Sequence, residues 1–152
     1  MEGMEKGHYG RLVVMIVLSF VAMYILMYAM VNAFENVIHN INQVYMAALM
    51  AASMIPIEIG VMRMMYPDRK RNAIVIAVGI VLLIGSFMGI RRQTAVGDRQ
   101  FLKSMIPHHA GAILMCEQAS ISDPRVEALC ATIVKSQREE IAEMKALLRT
   151  IP

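Results

Sequence analysis

At 152 residues, 57% of them hydrophobic and only 18% charged, the chain is too apolar for an ordinary water-surrounded domain. The formal charge of +3 is small and lies mostly at the flanks of apolar runs, and no basic patch interleaved with aromatics occurs, which removes any argument for nucleic-acid binding. There is no His-Glu-x-x-His, Cys-x-x-Cys, phosphate-binding loop or Ser-centred nucleophile motif, so the chain is read as a protein other than an enzyme.

The apolar residues cluster in the first ninety positions. Three runs, at about 12–31, 44–65 and 73–90, are long enough to cross about 30 Å of hydrocarbon, which makes residues 1–92 a three-helix transmembrane region in contact with a lipid bilayer. The first run is too long for the core of a signal peptide, carries Tyr24 and Tyr28, and lacks a clear small-x-small cleavage site, so it reads as a retained span. Basic residues before the first span are Lys6 and Arg11; the first loop has none, and Arg63, Arg69, Lys70 and Arg71 lie between the second and third spans. This bias puts the N-terminus in the cytoplasm and the C-terminal segment outside, which in a bacterium means an inner-membrane protein with a periplasmic tail. Arg91 and Arg92 run against the scheme but do not outweigh the Arg69-Lys70-Arg71 cluster.

The first span ends with Met23, Met27 and Met30, and the second opens with Met46, Met50 and Met54 before reaching Glu58 at the next i+4 step. Together with His39 in the loop, Met27, Met30, Met46 and Met50 make a candidate soft-metal site at the outer mouth. The competing reading is that methionine, a flexible apolar gap-filler, only packs there. Glu58, just after Pro56, is the acid inside a span, and an intramembrane carboxylate is expensive enough to be a functional candidate; its structural alternative is a hydrogen bond between helices. Gly85-Ser-Phe-Met-Gly89 is a small-xxx-small motif through which helix backbones approach closely, within a chain or between chains.

After Arg91-Arg92 and a polar linker, Gly97-Asp98 starts an amphipathic helix, with Asp98 as its cap, that reaches about residue 120. Pro107 should kink it or restart it just before His108. Asp123 caps a second helix, with Pro124 at its first position, that ends near Arg149 and should turn Val126, Cys130, Ile133, Gln137, Ile141, Met144 and Leu148 inward. At about 100° per residue, Met105, His108, His109, Ala112, Met115 and Cys116 fall within roughly a third of the first helix's circumference. Thioether, imidazole and thiol on one face favour Cu(I) and its heavier relative Ag(I) over oxygen-seeking cations. Folding the helices about the turn sets Cys116 opposite Cys130 and His109 opposite Gln137, and brings Met144 toward Phe101 and Met105. The cysteines are open to three readings: two small buried residues, a disulfide, or a thiolate pair for metal. Two helices of this length bury little by themselves, so the hairpin at 98–150 must pack on the membrane part, bind metal or dimerise into a four-helix bundle, and completion of the bundle by oligomerisation is the favoured expectation.

The pattern Phe101-x3-Met105-Ile-Pro-His108-His109-x2-Ala112-x2-Met115, followed by Ala131-x-Ile133-x3-Gln137-x2-Glu140-Ile141-x2-Met144, resembles the bacterial helical-hairpin family known as domain of unknown function 305, over about the last fifty residues. The resemblance implies a ferritin-like helical bundle, and it implies copper or silver binding on the periplasmic side with Met105, His108, His109, Met115 and Met144 as ligands. The Met-rich leader resembles the membrane-anchored branch of the family. Cys116 and Cys130 are not part of that pattern. Family members often carry two hairpins, so a single one points to a homo-oligomer, associating through Gly85/Gly89 and the hairpin.

The sequence thus describes an all-α protein of three membrane helices followed by an extramembrane antiparallel hairpin. The leading expectation is a membrane-anchored Cu(I)/Ag(I)-binding protein for metal tolerance, storage or handling, working with other metal-handling proteins. The alternatives are an oligomeric interaction protein whose methionines only pack, or a metal-transport component using Glu58.

Overall fold

The computed structural model describes residues 2–151, with side chains from residue 7 onward; Lys6, one of the two basic residues before the first span, lies outside the described side chains. Among the described residues there are five α-helices and no strand: α1 Glu2–Leu26, α2 Ile41–Val61, α3 Arg69–Arg92, α4 Asp98–Gln118 and α5 Pro124–Thr150. Short 3₁₀ turns at Met27–Met30 and Phe34–Asn36 join α1 to α2. The chain divides into two compact units, Met1–Leu26 with Asn42–Thr94, and Met27–Ile41 with Ala95–Pro152. The segment from Met27 to Ile41, which the sequence assigns to the membrane region, is therefore built into the same unit as the hairpin.

The first unit holds α1, α2 and α3, and three stretches, Gly7–Met30, Ile41–Val61 and Arg69–Arg92, are long and apolar enough to cross a membrane. Their apolar side chains stay largely uncovered, with Leu18 63%, Ile25 61% and Val81 69% exposed, as suits helices whose partner is lipid. The boundaries differ from those read in the sequence. The methionine spacing of the first span ends in the 3₁₀ turn at Met27–Met30, so that stripe does not continue on one helical face. The second helix stops at Val61, which puts Glu58 in its last turn rather than deep in a span. There the Tyr66 hydroxyl donates to Glu58 Oε1 at 3.4 Å. Burial foremost, and then the Glu58 carboxylate, hold the Tyr66 phenol above its ordinary pKa, so it remains a donor. A lattice of polar contacts closes this end: Tyr9 Oη donates to Asn72 Oδ1 at 2.6 Å, Asn72 Nδ2 donates to the Tyr66 carbonyl at 2.8 Å, and Asp68 caps α3 by accepting from Lys70 and Arg71.

Small residues on α3 face α2. A Cβ on Gly79 would meet Ile55 side-chain carbons at 3.0 Å, and one on Gly89 would meet the Tyr45 ring at 3.0 Å, while Gly85 faces open space. Tyr45 is pinned by its hydroxyl, which donates to the Thr94 carbonyl at 2.8 Å. Half of the small-xxx-small pair is thus already used within the chain, and the expected self-association through Gly85 and Gly89 together has to be reduced to Gly85.

In the second unit α4 and α5 form an antiparallel hairpin about a core of Leu102, Ile106, Ala110, Ile113, Ile141 and Met144. Val31 and Ile38, from the segment between α1 and α2, pack against the same core. Asp123 accepts from the Arg125 N–H with Pro124 opening α5, the cap the sequence indicates. At α4 the cap is Gly97, and Asp98 is the first helical residue, which suits its charge to the helix N-terminus without a side-chain cap. Pro107 does not divide α4, which runs unbroken from Asp98 to Gln118. Ile106 and Ala110, both 0% exposed, clamp the helix on the core around the missing N–H. Val126, expected to turn inward, is 44% exposed. Arg99 Nη1 donates to the Leu148 and Ile151 carbonyls at 3.3 and 3.2 Å, holding the end of α5 to the start of α4.

Candidate metal site

The core face of α4, marked by Leu102, Ile106, Ala110 and Ile113, fixes where every other α4 side chain points. Gly111 lies on another side, where its Cβ position meets the Met30 carbonyl oxygen at 3.5 Å, so the segment after α1 covers that flank. What remains is a strip carrying Met105, His108, Ala112 and Met115, with His109 on its border with the core. Met105 and His109 are half-buried, whereas His108 is exposed and Met115 is 54% exposed. The expected ligand arc therefore exists as one strip, but it grades from the α4/α5 seam into solvent instead of facing α5.

His109 is the best-placed member. Its side chain is 13% exposed and its Nδ1 lies 3.0 Å from Glu140 Oε2 on α5. Nδ1 is sealed from solvent and the contact lacks the in-line geometry of a hydrogen bond, so this is a close charge contact across the seam. Glu140 is held from its own helix, where Ser136 Oγ donates to Oε1 at 2.7 Å and Gln137 Nε2 stands 3.5 Å from Oε2. Desolvation by burial, the largest influence, lowers the His109 pKa; Glu140 opposes this and His108 adds to it. A neutral imidazole is the form that binds metal. The residue in contact with His109 is thus Glu140, one helical turn beyond the Gln137 expected opposite it.

Met105 packs against the core that includes Met144, which is only 8% exposed, so the two sulfurs belong to one apolar cluster beside His109. The rings of His108 and His109 are 6.2 Å apart and tilted by 59°, as adjacent helical positions must diverge. Cys116 and Cys130 are joined as a disulfide with Cα atoms 5.3 Å apart, which resolves the three sequence readings. Disulfide sulfurs are not thiolates, so in this form the pair offers no soft ligand. Among the mouth candidates, Met27, Met30 and His39 fall in the hairpin's unit and Met46 and Met50 on α2 in the other. His39 stacks edge-on against Tyr28, with ring centres 6.3 Å apart. Among the described residues no three His, Cys, Asp or Glu side chains converge as a metal cluster. The donors at hand, thioether and imidazole, suit a soft monovalent ion in kind and not a hard cation.

The hairpin that carries this strip is where known sequences match. The profile of the family described as "Domain of unknown function (DUF305)" matches residues 84–148. A relative, "Uncharacterized protein L153" of Acanthamoeba polyphaga mimivirus, is 33% identical over 109 residues, spanning 70% of this chain and 70% of its own. The chain belongs to the DUF305 family. The match starts in the second half of α3, earlier than the last fifty residues that carry the motif, and takes in the whole of α4 with its His-His strip. DUF305 membership therefore attaches to the hairpin together with the helix that leads into it. No solved structure matches the chain.

Proposed function

We propose that this DUF305 protein binds Cu(I) or Ag(I) at the extramembrane hairpin, in a metal-tolerance, storage or handling role, with α1, α2 and α3 as its membrane anchor. One observation carries the reading: Met105 and His109 stand one helical turn apart on the same strip, with His109 poised by a buried contact to Glu140. Met105 and His109 would hold the ion, and the exposed His108 and Met115 extend the strip outward for capture. A soft ion accepts few ligands, and a second copy of the hairpin is a source of more.

The chain's own residues do the following. Burial keeps His109 neutral, Ser136 and Gln137 fix the Glu140 carboxylate, and the Leu102–Met144 core excludes water from the inner side of the strip. The test is a titration of purified full-length protein with Ag(I), or with Cu(I) under reducing conditions, against a competing chelator. Stoichiometric binding that is lost when Met105, His108 and His109 are replaced together supports the proposal. No binding, or binding that survives the replacement, overturns it.

A second reading has its own observation. Met144 is a core residue at 8% exposure, which favours methionine as packing. In that reading the hairpin is an interaction module, and added Ag(I) changes neither thermal stability nor oligomeric state. A transport role through Glu58 is the weakest of the three, since that carboxylate accepts from Tyr66 in the last turn of α2.

A further inference from the structure

A neutral imidazole carries one proton, and which nitrogen holds it decides which nitrogen can bind a metal. In this hairpin the two nitrogens of His109 sit in different surroundings. Nδ1 is sealed inside the seam, 3.0 Å from Glu140 Oε2. The contact lies off the line of a hydrogen bond, so the carboxylate acts on Nδ1 through its negative charge, which favours a proton over a bare lone pair on the nitrogen beside it. The carboxylate is itself directed: Ser136, one turn earlier on α5, donates to Oε1 at 2.7 Å and so turns Oε2 toward α4. The seam cannot supply the same control to His108, which faces outward on the strip.

We infer that Glu140, oriented by Ser136, is a positioning residue that keeps the proton of neutral His109 on Nδ1 and so presents Nε2 as the donor atom of the strip. The inference rests on the reading of His109 as a metal ligand, but its geometric half stands in the metal-free protein. It assigns Glu140 and Ser136 the supporting part that carboxylates play behind metal-binding imidazoles. It also explains why the contact is made across the two helices: closing the α4/α5 seam is what sets the tautomer, so an unpaired α4 would present His109 in either form.

The test uses full-length protein in detergent, labelled with ¹⁵N in its histidine rings, metal-free and at a pH where the imidazoles are neutral. His109 is assigned by its disappearance in His109→Gln, and long-range proton–nitrogen correlations read the tautomer. The expected result is a protonated Nδ1 and an unprotonated Nε2 in the wild type. Glu140→Ala should shift His109 toward the Nε2–H form, and so should Glu140→Gln, which keeps the length of the side chain and removes its charge. Glu140 is half-exposed, and circular dichroism confirms that each variant keeps its helices. An Nε2–H tautomer in the wild type, or a Glu140→Ala spectrum unchanged from it, overturns the inference.

Adding Ag(I) separates this inference from the binding proposal beneath it. Movement of Nε2 with about 10-fold or greater loss of affinity in Glu140→Ala supports both. Movement of Nδ1 instead overturns the positioning role while leaving binding intact. If Ag(I) moves neither nitrogen although the tautomer is as expected, the binding proposal fails and the positioning role stands.

Discussion

At His109, burial and charge act in opposite directions, and burial prevails: the imidazole pKa is lowered even though the Glu140 carboxylate, 3.0 Å away, raises it. Two consequences have definite signs. Metal competes with the proton for the ring, so lowering the pKa extends binding to more acidic pH than a free histidine would allow. Ag(I) affinity measured by chelator competition from about pH 8 down to about pH 5 should begin to fall at a lower pH than a free imidazole would give. Affinity that falls as early as it does for a free imidazole would show that burial of His109 gives binding no advantage over the proton. The same shift links to folding. An imidazole with a lowered folded-state pKa binds fewer protons than it does in the unfolded chain, so the stability it contributes is complete above the ordinary pKa and is lost as pH falls through the ordinary and then the lowered value. His109→Gln should flatten that acid-side loss in a metal-free melting series.

Among the elements, the hairpin can be dissected at its disulfide. Cys116 and Cys130 are separated by 14 positions, and closing a loop of that size stabilises a fold by about 3 kcal/mol. Reduction, or Cys130→Ser, should lower the hairpin's thermal stability accordingly. Cys116 lies almost two turns beyond His109 on α4, so the Ag(I) affinity of the His109 site should change by less than about threefold, within the error of ordinary context effects. An affinity that rises on reduction would mean that freed thiols join the site. The α2–α3 contact gives a second dissection. Gly89→Leu drives a side chain into the Tyr45 ring and should destabilise the helix pair, whereas Gly85→Leu points into open space and should leave the fold intact. If chains associate through this helix, Gly85→Leu is the variant that shifts the oligomer in size-exclusion chromatography. Equal loss of folding in both variants would contradict the packing described.

These elements also show what sequence reasoning reaches and where it stops. The Asp123-Pro124 start, the apolar periods of five helices and the placing of Cys116 opposite Cys130 are local or nearly so: cap chemistry, a period near 3.6 and a short turn determine them, while the bond between the cysteines was one of three open readings. The recruitment of Met27–Ile41 to the hairpin was not legible, because Val31 and Ile38 reach their core across a large separation in sequence and carry no periodic mark. Gly85-x3-Gly89 was legible as a close-approach motif but not as one partly filled by Tyr45 of the same chain. The ligand strip was found by its angles, yet its depth was not. Only the observed core face shows that Met105 and His109 lie at the seam while His108 and Met115 lie outside it. Glu140 stood in the family pattern without a role, since the register that pairs the cysteines sets Gln137 opposite His109 and does not reveal that the carboxylate one turn further on reaches the ring.

For the whole molecule, orientation in the membrane determines what the strip can meet. The basic residues Arg63, Arg69, Lys70 and Arg71 gather at one end of α2 and α3, and the Arg71 guanidinium lies 5.9 Å from the centre of the Tyr9 ring in the polar lattice there. Charges in short loops decide insertion, so this end should face the cytoplasm and the hairpin the opposite compartment, where a disulfide can persist. The two features are independent, one set by insertion and the other by redox environment, so a topology experiment tests both at once. Expressed in a bacterial inner membrane, a fusion after residue 152 to a reporter active only outside the cytoplasm should be active, and a fusion within the loop at residues 62–68 should be silent. Replacing Arg69, Lys70 and Arg71 together by Gln should weaken that bias and bring activity to the loop fusion. Should the C-terminal fusion be silent and the loop fusion active in the unaltered chain, the hairpin would lie in a reducing compartment, Cys116 and Cys130 would be thiols there, and the soft-metal strip would have to be considered with two thiols near one end.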